Sequence, residues 1–147
     1  MSIASALAGQ PVRCTSFNDL LTSLKDGWSV RMTIEYAKCR LVIDSVEQRS
    51  PEAVGGMTID TYEYFARGVV RNAKAYLATS ETHLISHPRY GYVLNYVRLR
   101  IYEDDAVEIV ARYLNPSSYA VVMDETFFGA ISDGSDSNGL HLYRSQP

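Results

Sequence analysis

The stretch YGYVLNYVRLRIYEDDAVEIVARYL, Tyr90 to Leu114, decides how this chain is read. Its hydrophobicity alternates with a period of two, which describes extended strands with opposite faces. Two such strands fold back on each other around Glu103-Asp104-Asp105. In the first, Val93, Val97, Leu99 and Ile101 share one face, a row into which Asn95 also falls. The other face carries Tyr92, Tyr96, Arg98, Arg100 and Tyr102. Burying two guanidinium groups without partners is prohibitive. The aliphatic row is therefore the core row, and the Tyr/Arg row faces either bulk solvent or a polar cavity.

Working outward, nearly everything keeps the same period. WSVRMTIEY (Trp28–Tyr36) sets Trp28, Val30, Met32, Ile34 and Tyr36 on one side of a half-buried antiparallel strand. RLVID, MTIDTYEYFA, AKAYLATSETHLI, YAVVMDETFFGAI and LHLYR read as further strands. EQRSPEAVGG reads as a polar loop, and SDGSDSNG as a polar, mobile one. One helical stretch stands out, TSFNDLLTSLKDG, with capping residues before an apolar stripe and Gly27 after it. These features predict an all-β fold with one N-terminal helix. The strands form an antiparallel meander of about eight members, closed or nearly closed into a small calycin-like barrel, or folded as a sandwich.

At 147 residues the chain holds one hydrophobic core. Residues 13–147 are read as a single β-rich domain, and 1–12 as a signal-peptide remnant or an extension. Ala6-Leu7-Ala8 fits the small-x-small pattern before a signal-peptidase cut, which places the protein as secreted or periplasmic. No apolar run is long enough for a membrane span, and a net charge of -3 gives no broad attraction for nucleic acid. In an exported protein Cys14 and Cys39 would close a disulfide loop; in a cytosolic one they are two unrelated thiols.

Several polar groups are candidates for chemistry. Glu81 and His83 lie two apart in one strand, the minimum for general acid/base work, and with Thr79 they form a polar row. Arg98 and Arg100 share a face, as do Glu108 and Arg112 on the returning strand. Hairpin pairing puts Tyr92 and Tyr96 across from Glu81 and His83, so that Glu81, His83, Tyr96, Arg98 and Arg112 line one polar cavity. The ligand-binding set is then Tyr92, Tyr96, Arg98, Arg100, Glu108 and Arg112, suited to a small, partly apolar or anionic molecule. The blander reading of the same residues is an exposed ladder of ion pairs. His83, His87 and His141 do not have metal-ligand spacing, and no P-loop, dinucleotide or GxSxG motif calls for a cofactor.

Three functions compete: an exported ligand-binding barrel, an interaction protein or homo-oligomer using its tyrosine-rich sheet face, and a cofactor-free isomerase or cyclase. In the last, Glu81 and His83 serve as base and orienter, and Arg98 or Tyr96 holds an oxyanion.

GGMTID (Gly55–Asp60), SETH (Ser80–His83), NYVRLRIYEDDAVEI (Asn95–Ile109) and NPSSYAVV (Asn115–Val122) resemble the VirK family of small exported bacterial proteins. FNDLLTSLKDG leading into VRMTIEYAKC is similar to that family's opening. The resemblance implies an exported, compact β-rich domain and carries no established activity. It also implies a bridge from Cys39 to a cysteine near the C-terminus. Here that region reads ETFFGAI, without one, which leaves Cys14 as the partner.

Overall fold

Eleven strands and one helix make up the computed structural model, which describes residues 10–147. The helix, α1 (Phe17–Lys25), forms where its signals stand: the Ser16 hydroxyl accepts from the Asp19 amide, and Gly27 follows at φ +85°. Phe17, Leu20 and Leu24 are the buried part of its stripe. In chain order the strands are β1 (Val12–Cys14), β2 (Ser29–Glu35), β3 (Arg40–Ile43), β4 (Val46–Gln48), β5 (Val54–Thr58) and β6 (Glu63–Phe65). They continue with β7 (Tyr76–His87), β8 (Gly91–Tyr102), β9 (Ala106–Leu114), β10 (Val121–Ala130) and β11 (Leu140–Ser145).

The strands form two antiparallel sheets, one in the order β1-β11-β2-β5 and one in the order β4-β3-β10-β9-β8-β7-β6. Neither closes on itself, so the expected barrel is replaced by two open sheets around a common core. The physical reason lies in the connections. A 3-10 turn at Tyr36–Lys38 carries the chain from β2 in the small sheet to β3 in the large one. Ile59–Tyr62 does the same between β5 and β6, so MTIDTYEYFA is two strand ends in different sheets and not one strand. The large sheet ends at β4 and β6, each three residues long and too short to meet another edge.

Strand parity in the core follows the sequence. Val30, Met32 and Ile34 of β2, Leu140 and Leu142 of β11, and Leu99, Ile101, Val107 and Ile109 of the large sheet are buried in one cluster with Leu20 and Leu24. Each such side chain contributes about 1.5–3 kcal/mol of transfer free energy. In the SDGSDSNG loop Asp136 accepts from the amides of Asp133 and Asn138.

The expected Cys14–Cys39 disulfide is not there: both thiols are free and buried. Cys14 lies against Ser23 of α1, while Cys39 follows the 3-10 turn and packs where Gly129 and Gly139 leave room. Burial pushes both thiols above the ordinary cysteine range. Val12, assigned to the N-terminal extension, pairs with Arg144 in the small sheet. The Ala6-Leu7-Ala8 motif lies outside the described residues. Among the described residues no helix is long and apolar enough to cross a membrane.

Candidate functional site

The β7–β8 hairpin sets the geometry of the site. Its turn, Pro88-Arg89-Tyr90, brings His87 opposite Gly91, and from there Glu81 pairs with Val97 and His83 with Asn95. Glu81 and His83 therefore share the aliphatic face of β8, while Tyr96, Arg98 and Arg100 project from the other side. The single polar cavity expected from Glu81, His83, Tyr96, Arg98 and Arg112 does not form, because the sheet itself separates the two groups. For the same reason an acid/base pair of Glu81 and His83 cannot share a substrate with an oxyanion held by Arg98 or Tyr96.

On the outer face, Tyr96, Arg98 and Arg100 line an open depression of about 350 Å³ together with Phe65, Tyr76 and Ser80. The rings of Phe65 and Tyr76 stand 5.1 Å apart, and the Arg100 guanidinium lies 5.2 Å from the Tyr76 ring centre. Arg98 donates to Glu108 at 3.0 Å across the β8–β9 ladder, with side chains only 27% and 24% exposed. Arg100, directly opposite Glu108 in register, has no ion pair among the described residues. The Nε atoms of Arg98 and Arg100 are buried without a hydrogen-bond partner, a trait shared on the small sheet by Arg144, stacked on Trp28. Each unsatisfied donor costs about 1–3 kcal/mol. Two of them side by side on one strand mark a place where the fold tolerates that cost.

The other members of the expected set are dispersed. Arg112 pairs with Tyr96 in register but reaches Asp124 at 3.2 Å and lines a different hollow with Phe128. Tyr92 is 71% exposed near the hairpin end and joins neither. His87 accepts from the Arg89 and Tyr90 amides and stacks on Tyr90 and Tyr113. Thr79 donates to the Thr61 carbonyl and is buried.

Between the sheets, a second region emerges that sequence reading missed. Glu81 and His83, 3.5 Å apart, line a hollow of about 130 Å³ with Tyr36, Gly55 and Asn95. A neighbouring hollow of about 280 Å³ shares Tyr36, Gly55, Asn95 and Val97 and adds Tyr113, Glu125 and Phe127. Burial raises the Tyr36 phenol and the Glu125 carboxyl above their ordinary ranges. Tyr36 packs closely over Gly55; a Cβ there would lie 3.1 Å from its ring. Sequence could have flagged Glu125 by its alternation with Phe127. His141, read in the sequence as lacking metal-ligand spacing, bridges Glu35 at 2.6 Å and Arg13 at 2.9 Å on the small sheet.

The VirK protein family pattern matches residues 13–119. The chain belongs to the VirK family. A solved VirK family protein, lpg1832 from Legionella pneumophila, superposes with a TM-score of 0.68 at 16% identity, covering 89% of this chain and 98% of that one. At that identity the likeness extends to the fold: the two-sheet architecture is one a VirK protein adopts. No curated protein matches the sequence.

Proposed function

We propose that this VirK family chain is an exported small-ligand-binding module whose site is the Tyr/Arg depression on the outer face of β7 and β8. The observation that carries the reading is Arg100: a guanidinium without a carboxylate partner among the described residues, stacked on Tyr76 in a hollow walled by aromatic rings. Such a group recognises a carboxylate or phenolate, and the rings of Phe65, Tyr76 and Tyr96 suit an apolar body attached to it. Arg98 is held by Glu108 and flanks the ligand. The exported location rests on the Ala6-Leu7-Ala8 motif and on the resemblance, not on a disulfide.

A thermal-shift screen of aromatic carboxylates, phenolates and fatty acids tests this. A ligand at a hundred times its dissociation constant adds about 2.7 kcal/mol. That gain must vanish in Arg100→Met. A screen without any shift, or a shift that survives the substitution, rejects the site.

A second reading, an interaction protein that self-associates through this face, is favoured by a row of four aliphatic residues. Leu84, Leu94, Leu114 and Val121 lie opposite one another across β7, β8, β9 and β10, beside the exposed Tyr92. Light scattering over a concentration series decides it: self-association must appear and be abolished by Leu94→Lys, and a monomer at every concentration removes it.

A further inference from the structure

The two hollows between the sheets are joined by one feature of the register. Glu81 pairs with Val97, Val97 with Ala111, and Ala111 with Glu125. These four residues form a single transverse row on the inner face, with a carboxylate at each end and two small aliphatic side chains between. Three strand spacings separate the ends, about 14 Å between backbones. Tyr36 lines both hollows, and Phe127, its ring centre 4.7 Å from that of Tyr36, closes the Glu125 side. Among the described residues no lysine or arginine lines either hollow, and His83 is the one basic side chain there. Glu125 has neither an ion pair nor a hydrogen bond among the described residues, and Glu81 has only His83.

We infer that this inter-sheet cleft binds a linear aliphatic diamine or polyamine, one ammonium group on Glu125 and the other on Glu81, with the methylene chain over Val97 and Ala111. Each part of the chemistry has its counterpart. Aromatic faces attract ammonium groups through the ring quadrupole. A half-buried carboxylate without a partner gains most from a counter-charge brought to it, which is consistent with the raised proton affinity of Glu125. The apolar strip between the two charges excludes a compact dication such as a metal ion, which would leave one carboxylate unmet. The site is separate from the Arg100 depression and lies on the opposite side of β8.

Calorimetric titration of the intact protein tests this with putrescine, cadaverine, longer diaminoalkanes and spermidine, with hexylamine and tetramethylammonium as single-charge controls. Diamines must bind, with an optimum in chain length and affinity at least roughly tenfold above that of hexylamine. Glu125→Gln and Glu81→Gln must each bring the best diamine down to the hexylamine level, while Arg100→Met leaves it unchanged. Melting curves of the variants show whether they are folded, and spermidine protection of the unaltered protein against thermal unfolding gives an independent readout. Absence of binding, equal affinity for single and double charges, or indifference to Glu125→Gln overturns the inference. An effect of Arg100→Met on the diamine would place it at the outer site and overturn it equally.

Discussion

Replacing Leu99 and Arg100 in turn, two adjacent residues of β8, tests strand parity most directly. Leu99 is 0% exposed and sits between buried Thr79 and Ile109 in the ladder. Leu99→Ala removes three carbons from a site with no solvent to fill it, and fully buried leucines cost about 3–4 kcal/mol on truncation. For 147 residues the unfolding entropy is about 0.3 kcal/mol per degree, so the melting temperature falls by about 10–13 °C. Arg100→Ala removes a stacking contact with Tyr76 worth about 0.5–1 kcal/mol and no ion pair, and it relieves an unsatisfied Nε. The expected change is within about 3 °C. Urea unfolding followed by the fluorescence of the single tryptophan, Trp28, gives both values on one probe. If Arg100→Ala proves the costlier change, or Leu99→Ala costs under about 1 kcal/mol, the assignment of faces is wrong.

Glu108→Ala, which strands the three-quarters-buried Arg98, costs about 1–2 kcal/mol, and a double-mutant cycle with Arg98→Ala must recover most of it; additive effects refute the pairing. Glu35 is held below the ordinary glutamate range by Lys38 and then by His141, so its contribution is present above that range and lost as pH falls through its folded value. Glu35→Gln must therefore flatten the acid limb of the stability curve, below about pH 4.3, and an unchanged limb counts against the bridge. Without reductant, Cys14 and Cys39 must both react with a thiol reagent on unfolding and only slowly in the native state; fewer than two reactive groups means that they are bridged after all. A Cβ at Gly129 would stand 2.9 Å from the Cys39 sulfur and 3.7 Å from its Cβ, within disulfide range. Gly129→Cys must accordingly form an intramolecular bridge, raising stability by about 2–4 kcal/mol, and a chain that stays reduced in air refutes the placement.

The core row of β8 was legible because alternation over a dozen residues is a strong signal. So was α1, whose cap, stripe and terminal glycine agree. What could not be read was the pairing across the hairpin. A turn one residue longer or shorter would have put Glu81 and His83 on the same face as Arg98, and composition does not measure that length. β1 and β4 escaped because three residues carry no period, and β6 was read as one strand with the end of β5. The Tyr36–Glu125 cleft joins residues that the crossing between sheets brings together, and the Arg13–His141–Glu35 bridge joins residues remote in sequence that pairing of β1, β11 and β2 sets side by side in the small sheet. The barrel failed for the same reason: local pattern counts strands and does not say where the chain changes sheet.

β8 lies inside the large sheet, with arginines on one side and leucine and isoleucine on the other. A single inserted or deleted residue within it would drive both guanidinium groups into the core and expel the aliphatic chains to water. Substitutions can accumulate along this strand, but its length is frozen. Variation in chain length around the β7–β8 hairpin must therefore collect at the Pro88-Arg89-Tyr90 tip or in the irregular segment between β6 and β7, where no ladder is there to lose its phase.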